Sequence, residues 1–131
     1  MKFNLDCVRD LLLTLEDELQ FGRDLEFPTL SFHRVCLAPR MVGYPKSDIA
    51  YTTQKLKEAG YIEVHILAAD SNFIDALYSA ITFAGHQYLD NVRDKNVWEK
   101  IKKKIQPFGT SVALPIVVSV SQAIVKASLG L

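Results

Sequence analysis

Residues 47–90 constrain the fold most, because their pattern predicts a helix, a sharp glycine turn, a two-stranded hairpin and a second helix. Ser47 is a favoured N-cap residue, and Asp48 places a carboxylate beside the positive end of the first helix. Ile49 and Leu56 then share one helical face. Gly60 supplies the positive φ that ends a helix without a Cβ clash. The chain can therefore turn directly from this helix into a strand.

The hairpin is predicted from alternation and from turn residues. Within positions 61–69, Ile62, Val64 and Ile66 alternate with Glu63 and His65, which is the period of a strand that is buried on one side. Positions 70–72 favour a turn, and positions 73–81 are rich in residues that suit a second strand. Thr82 can cap a helix over about 83–92. This order predicts an α+β fold with a winged helix-turn-helix core and extra C-terminal helices.

The flanking segments predict further helices. Leucine and valine spacing indicates a helix over about 4–19 with an acidic outer face. A short strand is predicted over 25–30 and a short helix over 32–37. Asn96 and Glu99 have the spacing of a capping box for a helix over 97–105, in which Trp98 faces inward. Gly109 separates a last apolar segment, for which we predict a helix over about 114–127.

A chain of 131 residues fits one domain, with a core over about 4–92 and a helical extension over 93–131. The N-terminus does not resemble a signal peptide, so a cytoplasmic location is predicted. Residues 112–125 are uncharged but too few to span a membrane. Cys7 and Cys36 are predicted to be buried, reduced thiols.

The last helix allows two interpretations: burial within its own domain, or a homodimer in which a second copy covers its excess apolar surface. The apolar residues on which the homodimer prediction rests are Val117, Val120, Ile124 and Leu129.

Charge bears on the hypothesis of DNA binding. Residues 44–90 hold three basic and six acidic residues, a net charge of −3, whereas residues 91–106 hold six basic and two acidic residues, a net charge of +4. Contacts to DNA phosphates depend on Lys and Arg, so an acidic wing would meet repulsion. The candidate contacts to DNA are four residues at the third helix and three in the lysine run: Lys46, Tyr51, Gln54 and Lys55, with Lys102, Lys103 and Lys104. A solvated helix face is the alternative for the lysine run.

Catalytic and metal sites have little support in the sequence. No nucleophile elbow, P-loop or dinucleotide fingerprint is present. The three histidines are scattered, and only His33 and Cys36 have a helical ligand spacing, whereas a structural zinc needs four ligands. We therefore predict neither enzymatic activity nor a metal or other cofactor.

Several segments resemble the domain-of-unknown-function 2513 family, and they are NLDCVRDLLLTLE, YTTQKLKEAGYI, ITFAGHQYLDNVRDKNVWEKIKKKI and the closing LGL. The most specific part is the block GH-x-[YF]-LD-x-[VI]-RD-x-x-VW, which is matched by His86, Asp90, Arg93, Asp94 and Trp98. The resemblance implies a winged-helix-like fold and an origin in Gram-positive bacteria or their phages, and it implies no activity. We interpret the matched residues as structural, with Trp98 in the core and Arg93 and the aspartates holding helices together.

Two functions remain in view. The first is a DNA-binding winged helix in transcriptional or prophage regulation. The second is a winged helix that binds a protein partner without contacting DNA. The fold favours the first, whereas the acidic wing and the apolar C-terminal segment favour the second.

Overall fold

Helices surround a small sheet in the computed structural model, which describes residues 2–108 and 112–130. The elements, in chain order, are α1 (Leu5–Glu18), β1 (Leu30–Ser31), α2 (Phe32–Leu37), α3 (Lys46–Glu58), β2 (Ile62–Ala69), β3 (Asn72–Ile81), α4 (Phe83–Val92), α5 (Lys95–Ile105), a 3₁₀ turn (Gln106–Phe108) and α6 (Leu114–Ser128). The predicted α+β class is confirmed. The predicted break at Gly109 lies outside the described residues.

The sheet is antiparallel, with strand order β1-β3-β2. Tyr78 on β3 lies opposite both Leu30 on β1 and Val64 on β2, so β3 is the central strand. Asp70 and Ser71 have φ values of 52° and 65°. Two successive residues with positive φ are typical of a tight hairpin turn whose twist matches that of the strands. The predicted hairpin is therefore confirmed.

The predicted strand over 25–30 is wrong for most of its length, because β1 contains only Leu30 and Ser31. Leu25 has a φ of 62°, which is incompatible with an extended strand. The Gly22 N–H donates to the Glu26 carbonyl over 2.9 Å, so this segment closes a loop on itself. The predicted helix over 32–37 is confirmed as α2.

Two predicted caps are also wrong. Helix α3 begins at Lys46 after Pro45, so Ser47 lies inside its first turn and makes no capping bond. Helix α5 begins at Lys95, and the Asp94 side chain caps it by accepting a hydrogen bond from the Val97 N–H. Asp94 occupies the position before the first turn, whereas Asn96 is already inside the helix. The cap predicted at Thr82 is confirmed, because its hydroxyl accepts from the Gly85 N–H.

Gly85 fixes how α4 leaves the sheet. A Cβ atom built on this residue would lie 2.1 Å from the Tyr61 carbonyl oxygen, far inside van der Waals contact. The backbone of α4 can approach the start of β2 this closely only because residue 85 has no side chain. The Thr82 hydroxyl donates to the Gly60 carbonyl at the same corner, over 2.6 Å.

The core is centred on α1, whose Val8, Leu11, Leu12 and Leu15 are fully buried. Both cysteines are buried and free, as predicted. Helix α6 packs on α4 and α5 and buries Val117 and Ile124 within its own chain, so the prediction that these two add to an uncovered surface is wrong. Leu129 remains exposed. None of the helices that the structure describes has the length and apolar character needed to cross a membrane.

Candidate nucleic-acid interface on α3

The inner face of α3 is held firmly against the core. Ile49 and Leu56 are fully buried, as are Thr52 and Thr53. The Thr53 hydroxyl donates to the Ile49 carbonyl over 2.8 Å and shares a 2.6 Å hydrogen bond with the Tyr78 hydroxyl on the central strand. Helix and sheet are therefore joined by a buried polar contact, and the orientation of α3 is fixed.

The outer face of α3 divides into two stripes, because successive residues of a helix are about 100° apart. Lys46, Ala50, Gln54 and Lys57 follow one another at spacings of four, four and three residues and form the first stripe, which we call the outer stripe. Lys46, Gln54 and Lys57 are exposed, and Ala50 is partly exposed. Lys57 was not among the sequence candidates, although its spacing from Lys46 and Gln54 would have indicated it.

Tyr51 and Lys55 form the second stripe and are engaged locally. The Tyr51 ring packs edge-on against Phe3, with 6.2 Å between ring centroids. The Lys55 ammonium lies 5.4 Å from the Tyr51 ring centroid and 3.1 Å from a carboxylate oxygen of Glu58. The hydrogen bond to Glu58 raises the pKa of Lys55. The structure thus places Gln54 with the two exposed lysines and separates it from Tyr51 and Lys55.

The run Lys102 to Lys104 does not form one basic patch. The Lys102 ammonium lies 3.3 Å from carboxylate oxygens of both Asp6 and Glu99, so its charge is balanced locally. Lys103 and Lys104 are exposed, and the 100° rotation per residue places Lys104 on the opposite side of the helix from Lys102. Of the three candidate phosphate contacts in this run, Lys102 is therefore the least available.

Charge is segregated between neighbouring elements. Residues 32–58, which contain α2 and α3, hold five Lys or Arg and two Asp or Glu, a net charge of +3. Residues 62–81, which form the hairpin, hold three acidic residues and no Lys or Arg, a net charge of −3. A charge count over 44–90 leaves out Arg34 and Arg40 and includes the acidic hairpin, so it hides the positive surface. Arg34 on α2 is exposed and belongs to the positive set.

One acid of the hairpin has a structural role. A carboxylate oxygen of Asp75 accepts hydrogen bonds from the backbone N–H groups of Phe32, over 3.3 Å, and Ala76, over 2.8 Å. It therefore ties the start of α2 to the central strand. Glu63 and Asp70 are the exposed acids of the hairpin.

The residues that match the family motif lie mainly in the junction of α1, α4 and α5. Trp98 is buried, and its indole N–H donates to a carboxylate oxygen of Asp6 over 2.8 Å. Arg93 forms ion pairs with Asp90 and with Glu16 on α1. Asp94 caps α5, and His86 is exposed on α4.

Arg9 completes this junction from α1. Its guanidinium donates to the carbonyl oxygens of Val92 and Arg93 at the C-terminal end of α4, both over 2.7 Å. A cation at this end also complements the negative end of the helix dipole. The charged side chains of the junction therefore form contacts within the chain.

The two cysteines are buried thiols with raised pKa values. Burial raises the pKa of Cys7 to about 11, so this thiol is protonated at neutral pH. Burial also raises the pKa of Cys36. No group of three potential metal ligands occurs within residues 2–108 and 112–130.

Comparisons with known proteins find uncharacterised relatives of this chain. A family model described as hypothetical protein (DUF2513) matches residues 2–111. An uncharacterized protein of Haemophilus influenzae is 27% identical over 130 residues, which cover 99% of this chain and 100% of that relative. No solved structure matches the chain. An origin in Gram-positive bacteria or phages stays a prediction.

Proposed function

We propose that this chain, which belongs to the DUF2513 family of hypothetical proteins, is a winged-helix module that binds double-stranded DNA through the outer stripe of α3. The observation that carries the proposal is the net charge of +3 over residues 32–58 beside the exposed polar stripe. The order α1-β1-α2-α3-β2-β3, with β1 and β2 flanking β3, supports a winged helix. A role in transcriptional or prophage regulation fits such a module.

The outer stripe has suitable chemistry for a helix in the major groove. The Gln54 amide can make a bidentate contact with an adenine edge, and Ala50 can approach a thymine methyl group closely. Lys46 and Lys57 at the two ends of the stripe are suited to phosphate contacts, which position a protein on duplex DNA. In the proposed arrangement Arg34 adds a third cation from α2.

The acidic hairpin then sets the orientation. With a net charge of −3, the hairpin is repelled by phosphates and therefore makes no phosphate contact in the proposed arrangement. Tyr51 and Lys55 flank the contact on the side of α1. In the proposed arrangement, Lys103 and Lys104 supply only long-range attraction, and Lys102 contributes little.

The test is binding to a labelled mixed-sequence duplex, followed by fluorescence anisotropy at about 20 mM salt. We expect the double variant Lys46→Glu with Lys57→Glu to weaken binding at least about 100-fold, because two phosphate contacts become repulsive. Lys95→Glu with Lys126→Glu makes the same change in net charge at exposed positions on α5 and α6 and is the matched control. The control should retain most of the affinity.

Two results would contradict the proposal. The first is the absence of duplex binding from a folded wild-type sample at low salt. The second is an equal loss of affinity in the α3 variant and in the control, because that result would reduce the effect to overall charge.

A second candidate function has its own observation. The hairpin combines the exposed acids Glu63 and Asp70 with exposed apolar residues, Leu67, Ile74 and Leu77. This composition suits a basic, partly apolar protein partner. Glu63→Lys with Asp70→Lys should weaken such a partner and, if anything, strengthen DNA binding. Asp75 is unsuitable for this test, since its carboxylate holds the start of α2.

A further inference from the structure

The loop after α1 presents large apolar side chains to solvent. Phe21, Leu25 and Phe27 are 60%, 76% and 83% exposed. We call residues 20–28 the aromatic loop. Isolated exposed apolar residues are normal, but three within seven positions form a patch of the kind that marks a contact surface.

The aromatic loop has a defined conformation. The Gly22 N–H donates to the Glu26 carbonyl over 2.9 Å, and the Leu25 N–H donates to the Gly22 carbonyl over 3.1 Å. The rings of Phe21 and Phe27 pack together with 5.6 Å between centroids. Leu25 has a φ of 62°, which is uncommon for a residue other than glycine. The loop therefore holds its apolar side chains outward in a fixed arrangement.

The aromatic loop is also acidic. Residues 20–28 contain two acidic residues and one arginine, a net charge of −1. Asp24 and Glu26 lie within the loop itself and are exposed. A surface that binds this loop should therefore combine apolar side chains with positive charge.

The same chain carries such a surface beside the C-terminal half of α5. A groove of about 750 Å³ between α5 and α6 has Lys100, Lys103 and Lys104 along one side and apolar or small α6 residues, such as Val120, Ala123 and Ala127, along the other. We call it the lysine groove. Within the part of the chain that the structure describes, none of these three lysines forms an ion pair.

The aromatic loop and the lysine groove cannot meet within one copy. Glu16, near the end of α1, pairs with Arg93 before α5, whereas Asp6, near the start of α1, pairs with Lys102 toward the end of α5. The two helices are therefore antiparallel. Since the 14 residues of α1 extend about 21 Å, the loop after α1 and the lysine-rich end of α5 lie far apart.

We propose that the aromatic loop of one copy docks into the lysine groove of a second copy, and that two such contacts related by a two-fold axis close a homodimer. The loop supplies Phe21, Leu25 and Phe27 with two carboxylates, and the groove supplies an apolar α6 flank with three lysines. Charge and apolar character match in both contacts. A two-fold axis uses both surfaces of each copy and leaves no unpaired end for further growth.

The test exchanges the charges of the two surfaces. The loop variant is Asp24→Lys with Glu26→Lys, and the groove variant is Lys100→Glu with Lys104→Glu. Each variant alone places like charges in both contacts of its own dimer. A mixed dimer of the two variants restores opposite charges in both contacts.

Sedimentation velocity at about 50 μM should show a dimer for the wild-type chain, at least a tenfold weaker dimer for each variant alone, and recovery in an equimolar mixture. Phe27→Ala should weaken the dimer but leave the melting temperature unchanged at a dilution where the wild-type chain is monomeric. Phe83→Ala, at another exposed aromatic residue, should leave the dimer unchanged. A wild-type monomer at this concentration would overturn the proposal. A dimer that neither double substitution weakens, or a mixture that does not recover the dimer, would also overturn it.

None of these variants changes the outer stripe, so a failure here leaves the DNA proposal intact.

Discussion

In the junction of α1, α4 and α5 the polar side chains contact one another or the backbone, whereas on the outer stripe of α3 they are exposed to solvent. In the junction, Trp98 donates to Asp6, Arg9 donates to two carbonyls at the end of α4, and Arg93 pairs with Asp90 and Glu16. On the outer stripe, Lys46, Gln54 and Lys57 are exposed and form no side-chain hydrogen bond or ion pair within the described residues.

This contrast separates positions that build the fold from positions that are available for binding. Most of the residues that match the motif block lie in the junction, so the motif block consists mainly of residues that stabilise the fold. The residues proposed to contact DNA lie outside the block. Substitutions in the junction should therefore change stability, and substitutions on the outer stripe should change binding.

The largest effect should come from Trp98→Ala. This change removes a buried aromatic ring and the hydrogen bond to Asp6, and we expect a loss of about 3 to 5 kcal/mol in the free energy of unfolding. Urea denaturation measures it. Phe108→Ala, at an exposed aromatic residue after α5, should change stability by less than about 0.5 kcal/mol. Equal effects of the two changes would break the distinction between junction and surface.

Gly85→Ala should have the next largest effect. The added Cβ would meet the Tyr61 carbonyl oxygen at 2.1 Å, so α4 must shift relative to the sheet, at a cost of about 3 kcal/mol. The matched control is Gly43→Ala, since nothing lies within 4 Å of a Cβ at residue 43. Thermal unfolding of both variants compares them directly. A Gly85→Ala protein as stable as the control would mean that the close approach of α4 is incorrect.

The smallest expected effect sharpens the boundary of the junction. Asp94→Ala removes the cap of α5 and should destabilise the protein by about 1 kcal/mol. Asn96→Ala should be close to neutral, because Asn96 lies inside the helix and is exposed. Chemical denaturation that ranks the two variants in the opposite order would restore the capping role that the sequence first indicated for Asn96.

Much of the fold could be predicted because the signals are local. The alternation in β2, the turn at Asp70 and Ser71 and the cap at Thr82 depend on neighbouring residues, and the structure confirms each of them. The motif for an α5 cap was ambiguous because Asp94 and Asn96 are both good capping residues. Only the start of the helix at Lys95 decides between them.

Other features could not be read from the sequence because they depend on contacts between distant segments. The pairing of Lys102 with Asp6 joins residues 96 positions apart in the chain, and it removes Lys102 from the available cations. The division of α3 into two stripes depends on which side faces Phe3 on the segment before α1. Residue 85 must be glycine because a Cβ there would clash with the Tyr61 carbonyl, and no periodicity of the sequence indicates this clash.

The exposed cations Arg34, Lys46 and Lys57 of α2 and α3 are proposed to contact DNA phosphates, and the salt dependence of duplex binding counts these contacts. Neutralisation of about three phosphates by Arg34, Lys46 and Lys57 predicts a log–log slope of about −3 for the binding constant against salt concentration. Lys46→Gln should reduce the slope to about −2, whereas Lys102→Gln should leave it near −3 because Lys102 is already paired with Asp6 and Glu99. A slope that changes with Lys102 and ignores Lys46, or an absence of duplex binding at low salt, would contradict the account.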